Sequence, residues 1–281
     1  MKFNPFFIAS TLLVLIVLAL LPTTTIADEG PDAQTIVAKA NHVALYQGTG
    51  MRGRLKLTIT DKQGRVRQRT LNILRKDGTA EKDGAQKYFT YFKAPADVRK
   101  MVFMVHKKTV PGTDDDRWLY MPAMDLVKRI AASDKRTSFV GSDFLYEDIS
   151  GRNLFEDTHT LQKTTAKHYV IKNIPKDPNS VAFEYYLAYI DRAAYITDRV
   201  EFYKPGDLLY RTMEVLEVRD IKAEENGKPV SYPTAIRSRA SNLETGSVSL
   251  MTLSGIVYNP GLGDKVFSER YLRRPPREMT R

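Results

Sequence analysis

Catalysis requires titratable or nucleophilic side chains brought together, and the candidates in this sequence are few and scattered. The four histidines, His42, His106, His159 and His168, fall on one predicted helix and three predicted strands, without the spacing that holds a metal ion. Asp114-Asp115-Asp116 carries enough charge for a cation, but it follows Pro111-Gly112 between two predicted strands and reads as a solvated hairpin loop. Glu147 and Asp148 are adjacent, so on a helix they point apart and do not form an acid–base pair. Ser142 with His106 or His168 is the one nucleophile–base combination that can be named for a hydrolase, and nothing in the sequence orients it. There is no Gly-x-Ser-x-Gly elbow, phosphate-cradling glycine loop or dinucleotide fingerprint. With no cysteine, thiol catalysis and disulfides are excluded. The expectation is a protein that is not an enzyme and takes no metal or cofactor.

The chemistry the sequence does offer is apolar binding. Arg117 to Gly151 packs Trp118, Tyr120, Met121, Met124, Ile130, Phe139, Phe144 and Tyr146 among basic residues and the acids Asp134, Asp143, Glu147 and Asp148. Trp118, Tyr120, Met121, Phe139, Phe144 and Tyr146 are therefore candidates for lining or gating a cavity, together with Phe183, Tyr185 and Leu187. Lys128, Arg129 and Lys135 are candidates for an anionic head group.

These residues need a scaffold, and the periodicity supplies one. Ala33, Ile36, Val37, Ala40, Val43 and Ala44 recur at helical spacing behind Asp32, an N-cap residue, which predicts an amphipathic N-terminal helix. From Arg52 the period changes to two: Leu55, Leu57 and Ile59 alternate with Arg54, Lys56 and Thr58. The pattern continues to Tyr258 as about eleven short strands separated by turns such as Pro205-Gly206-Asp207 and Glu225-Asn226-Gly227. Turn-sized connections favour antiparallel pairing, so a mainly β (α+β) protein is expected, with one large sheet forming a barrel or half-barrel. Phe183 to Ile190 is apolar on both faces, which requires two covers. The helix provides part of one, and the rest comes either from other strands and loops or from a ligand. Ser142-Asp143 predicts the start of a short helical cover. The basic segment beyond Lys265 reads as a frayed tail.

Residues 1–27 have the layout of a secretory signal: Lys2, an apolar run from Phe6 to Leu21, Pro22, then Thr25-Ile26-Ala27 with small residues at the positions a signal peptidase reads. Cleavage after Ala27 leaves a single domain over 28–281 in the periplasm. Without cysteine there is no site for a lipoprotein anchor. The net charge of +10 favours anionic partners, phospholipid head groups or other acidic envelope molecules, and an exported protein is not expected to meet nucleic acid.

Trp118-Leu119-Tyr120-Met121-Pro122, Val127-Lys128-Arg129-Ile130, Ser133-Asp134-Lys135 and Gly141-Ser142-Asp143-Phe144 with Tyr146-Glu147-Asp148 resemble, in order and spacing, the outer-membrane lipoprotein-sorting family in its extended LolA-like branch. The resemblance implies an unclosed β-barrel with a helical cover over an apolar cavity for acyl chains. It further implies a periplasmic carrier of lipid or lipid-modified cargo between the inner and outer membranes, touching a membrane surface transiently and associated with an inner-membrane exporter of the resistance-nodulation-division type. The alternative reading is an envelope assembly module that docks a protein partner through the sheet edge or the 117–151 segment.

Overall fold

The computed structural model describes residues 30–78 and 83–280, of which Pro31 onward forms one unit. The predicted signal segment lies outside the described residues. Helix α1 (Ala33–Leu45) starts where Asp32 accepts a hydrogen bond from the Thr35 N–H at 2.6 Å, and its Ile36, Val37 and Ala40 are buried. Thirteen strands follow, slightly more than expected. They are β1 (Gly50–Thr60), β2 (Val66–Asp77), β3 (Gln86–Ala94), β4 (Val102–Lys107), β5 (Asp116–Met121), β6 (Leu126–Arg129), β7 (Asp157–Thr164), β8 (His168–Pro175), β9 (Tyr185–Asp191), β10 (Thr197–Lys204), β11 (Leu208–Glu225), β12 (Lys228–Asn242) and β13 (Ser247–Tyr258). Short helix α2 (Tyr146–Ser150) lies between β6 and β7, and α3 (Arg270–Arg273) and α4 (Arg277–Thr280) end the chain.

All strands join one antiparallel sheet in the order β6-β5-β4-β3-β2-β1-β13-β12-β11-β10-β9-β8-β7. Each strand pairs with its sequence neighbour except at the centre, where β1 and β13 pair from Met51↔Tyr258 to Thr60↔Val248 and weld the two halves. The edge strands β6 and β7 do not pair with each other, so the barrel is not closed.

The register carries one face of the sheet from Ile171 through Ala188, Val200, Met213 and Ala240 to Ser249 and Ile59. This inner face is covered twice. α1 packs Ile36, Val37 and Ala40 against Tyr169, Ile171, Ala188 and Ile190. Residues 130–149 bring Ile130, Phe139, Phe144, Tyr146 and Ile149 onto Leu55, Leu57, Leu71, Phe92 and Phe103.

The opposite, outer face of β2 to β5 is also apolar. Leu74, Phe89, Val102, Met104, Trp118 and Tyr120 are roofed by Phe267, Leu272 and Met279, all three buried. The C-terminal segment is thus docked rather than frayed: Asn72 donates to the Met279 carbonyl at 2.7 Å, and His106 Nε2 lies 2.7 Å from the Phe267 carbonyl. Its three anchors sit in separate single turns with no common period, so no amphipathic pattern announces them.

Candidate functional site

The cover over the inner face is residues 137–151. Ser138 bridges Leu145, Phe139 N–H donates to the Phe144 carbonyl at 2.7 Å, and Ser142 Oγ donates to the Phe139 carbonyl at 2.7 Å. The predicted helix start at Ser142-Asp143 therefore becomes a tight turn through Val140 and Gly141, both at positive φ. The helix begins at Tyr146, with Asp148 accepting from the Leu145 N–H at 2.7 Å. This turn points Phe139 into the inner face, where its ring centroid lies 5.9 Å from both Phe92 and Phe103 and 5.3 Å, edge-on, from Tyr146.

What holds the cover down is polar. Asp143 accepts from Ser247 and, at 2.6 Å, from Ser249 on β13. Arg211, buried on the inner face of β11, pairs with Asp148 and donates to the Asp143 carbonyl at 3.2 Å. Buried Lys107 donates to the Ser150 carbonyl at 2.9 Å; burial pushes its amine down to about 8, against the opposing pull of Asp115, Glu147 and Glu156.

The unpaired seam beside β7 is closed by ion pairs in place of a β-ladder. Glu156 meets Lys135 at 3.0 Å, Arg136 at 2.9 Å and Arg152 at 2.9 Å, while Arg152 also pairs with Asp157 at 2.8 Å and Arg136 with Glu147 at 3.3 Å. Burial raises the Glu156 carboxyl, but the charges of Arg152, Lys135 and Arg136 outweigh it and leave the group below its ordinary range. A polar cleft of about 510 Å³ runs along this seam past Asp114, Asn153, Lys176 and Asn179.

Between α1, α2 and strands β9 to β11 lies an apolar hollow of about 220 Å³. Ala44, Leu45, Leu145, Phe183, Tyr186, Val200, Phe202 and Met213 line it, with Arg152, Arg211, Glu147 and Asp148 at its polar rim. Phe183, Tyr186 and Phe202 form an aromatic triad with centroids 5.3–5.6 Å apart, and Tyr186 is tethered by its hydroxyl to Asp157 at 2.8 Å. The alternation on β9 to β11 aims Tyr186, Val200, Phe202 and Met213 inward, and Phe183 joins them from the segment before β9.

The residues singled out from sequence divide between the two faces. Phe139, Phe144 and Tyr146 belong to the cover and Phe183 to the hollow. Trp118 and Tyr120 point the other way, under the C-terminal segment, and Met121 is half-buried at the end of β5. Tyr185 and Leu187 also face outward: Tyr185 stacks on Tyr203 at 4.8 Å and donates to Asp207 at 2.7 Å, and Leu187 pairs in register with Glu201. The alternating pleat separates Trp118, Tyr120, Tyr185 and Leu187 from the inner side chains. Lys128, Arg129 and Lys135 do not converge. Lys128 is exposed, Arg129 pairs with Asp116 over the Trp118 ring, and Lys135 is engaged by Glu147 and Glu156.

Asp115, expected in a solvated loop, is nearly buried and paired with Arg117. Nor does the structure assemble a Ser–His pair: Ser142 binds the Phe139 carbonyl, His106 lies on the outer face edge-on to Trp118, and His168 binds Asp198 at 2.7 Å. The residues of the hollow and the seam that the sequence did not single out are Arg211, Met213, Phe202, Tyr186 and the Arg152–Glu156–Asp157 network. A signal was available for Arg211, which puts a charge at an inward position of an alternating strand.

A protein-family model described as "Uncharacterized protein" matches residues 84–274. No curated protein matches the chain. Among solved structures, a DUF1329 family protein from Desulfovibrio piger superposes with a TM-score of 0.74 at 22% identity, covering 86% of this chain and 100% of its own. A putative outer membrane lipoprotein-sorting protein domain from Vibrio parahaemolyticus gives 0.72 at 24% identity, covering 86% and 98%. A LolA superfamily protein from Nitrosomonas europaea gives 0.64 at 19% identity, covering 86% and 100%. At these identities the likeness to the solved structures is one of fold. With a family model spanning most of its length, the chain belongs to the family of that model, and it has the LolA-like fold of these structures.

Proposed function

We propose that the protein is a periplasmic carrier that takes the acyl chains of a lipid or lipid-modified cargo between the inner face of its sheet and the 137–151 cover, and moves them between the inner and outer membranes. The observation that carries this reading is the aromatic hollow at Phe183, Tyr186 and Phe202, continuous with a cover that is apolar underneath and held by a small set of polar latches. At about 220 Å³ the hollow is below the roughly 300–1,000 Å³ of an ordinary ligand site, so this reading takes the described form as the closed one. Phe139, Phe144 and Tyr146 then stand where cargo goes, and loading exchanges one apolar occupant for another.

The energetics allow this. Each buried methylene contributes roughly 0.8 kcal/mol, so ten contribute about 8 kcal/mol, a micromolar affinity before the cost of opening. Fluorescence of Trp118 is remote from this exchange, because that side chain lies on the outer face. An inner-membrane exporter of the resistance-nodulation-division type is the partner this reading assigns for loading.

Native mass spectrometry of the protein purified from a bacterial periplasm, followed by lipid extraction, tests the proposal. A bound phospholipid, acylated peptide or similar amphiphile is expected. A clean unliganded mass, with no subsequent uptake of a fluorescent fatty acid, rejects it in favour of an assembly module whose cavity is permanently filled by its own side chains.

A further inference from the structure

The middle of the sheet carries a second feature, on the face opposite the cover. Along β1, Arg52, Arg54 and Lys56 alternate with the buried Leu55 and Leu57 and so project outward, and all three are exposed. Across the ladder, Lys56 pairs with Thr252 on β13, which pairs in turn with Arg237 on β12, another exposed outward cation. Alternate residues on a strand are about 7 Å apart and neighbouring strands about 4.8 Å, so the four charges occupy a patch of roughly 14 by 10 Å.

Among the described residues, none of these four side chains has an ion-pair or hydrogen-bond partner. The fifth cation of the patch, Arg239, is paired with Glu214, and Glu217, opposite Arg237 in register, is engaged by Arg219 at 2.8 Å. Glu278 borders the patch beside Arg52 and Arg54. The remaining outward residues are Thr58, Thr252, Ser254, the half-buried Leu250, and the exposed Val248 and Val257.

Four unpaired like charges held together by a rigid ladder repel one another, whereas half of the other cations among the described residues, the neighbouring Arg239 and Arg219 included, have carboxylate partners. An anionic surface would supply what the fold leaves out. We propose that the outer face of β1, β13 and β12 docks on an anionic phospholipid bilayer through Arg52, Arg54, Lys56 and Arg237. The distribution favours a bilayer over nucleic acid, because the patch is an open sheet face with no aromatic side chain on which a base could stack. Exposed valines interleaved with the cations suit the boundary between head groups and acyl chains. A docked molecule has its cover turned away from the bilayer, toward the aqueous side. The inference does not require the carrier reading, since it rests on the opposite face of the sheet.

Vesicle co-sedimentation tests it with the purified protein, using phosphatidylcholine vesicles with and without phosphatidylglycerol. Binding is expected only with phosphatidylglycerol and should fall steeply as salt is raised. Basic residues near such a surface contribute roughly fivefold in affinity each, so the double variant Arg54→Glu/Arg237→Glu should bind at least about tenfold more weakly. The equally charged control Lys163→Glu/Lys222→Glu should retain most of the binding, with circular dichroism showing both variants folded. Equal binding to neutral vesicles, no binding at low salt, equal loss in the control, no loss in Arg54→Glu/Arg237→Glu, or preferential binding to a DNA duplex would overturn the proposal.

Discussion

Replacing Phe139 with alanine distinguishes a cover that competes with cargo from one that is permanent core. The Phe139 side chain is fully buried and touches three rings, Phe92, Phe103 and Tyr146. Truncating a buried phenylalanine costs about 3–5 kcal/mol. If the cover lifts as a unit, Phe139 is in water when open, and the whole cost falls on the closed form. The opening equilibrium then shifts by roughly a hundredfold to a few thousandfold, at about 1.4 kcal/mol for each factor of ten. Apparent affinity for a fluorescent fatty acid should rise by up to that factor, levelling off once the open form predominates. Hydrogen exchange supplies the second readout: amides of 137–151 should exchange faster while those of β1, β2 and β13 remain protected. Faster cover exchange without tighter binding would refute the competition. Equal acceleration throughout the sheet would show that Phe139 supports the global fold and that no separable cover exists.

Gly151 adopts φ 78° and ψ 148°, a region nearly reserved for glycine, and an added Cβ would lie 2.2 Å from Leu45 Cδ1. Gly151→Ala should cost about 1–3 kcal/mol, lower the melting temperature by several degrees, and be partly relieved by Leu45→Ala, as read by thermal denaturation. Because the Glu156 carboxyl titrates below its ordinary value of 4.5 in the folded protein, it contributes stability above that pH and loses it as the pH falls through the lower folded value. Glu156→Gln should therefore cost about 3 kcal/mol at neutral pH and flatten the acid limb of a melting-temperature profile, an effect absent if the seam contributes nothing. Leu272→Ala should cost about 2–5 kcal/mol and red-shift the emission of Trp118, the sole tryptophan, whereas fatty acid binding should leave that emission nearly unchanged.

The sequence was most informative where chemistry and period coincide. Alternation of Leu55, Leu57 and Ile59 with charged neighbours marks β1 and its inward face, and Asp32 before Ile36 and Val37 marks α1. The spacing of the 117–151 segment, read with the likeness it carries, leads to an unclosed barrel. Which face each aromatic serves was less legible. Trp118 and Phe139 lie in the same rich segment, yet one sits under the C-terminal roof and the other under the cover. Nothing local separates them, because a strand that is apolar on both faces does not say which cover lies on which side. The latches were invisible for another reason: Arg211 meets Asp148 and Asp143 meets Ser249 across long stretches of chain, contacts fixed by the ladder and not by neighbouring residues. Phe267, Leu272 and Met279 form a third case, each anchored by a separate turn.

The central claim, that apolar cargo lies on the inner face beneath the cover, is tested most directly by photocrosslinking a diazirine-bearing fatty acid to the protein and mapping the adducts by peptide mass spectrometry. The account predicts adducts on Phe183, Tyr186, Phe202 and Met213, extending to Phe139 and Tyr146, competed away by unlabelled fatty acid. Adducts confined to the outer face around Trp118 and Tyr120, or spread without saturation over the exposed surface, would contradict it.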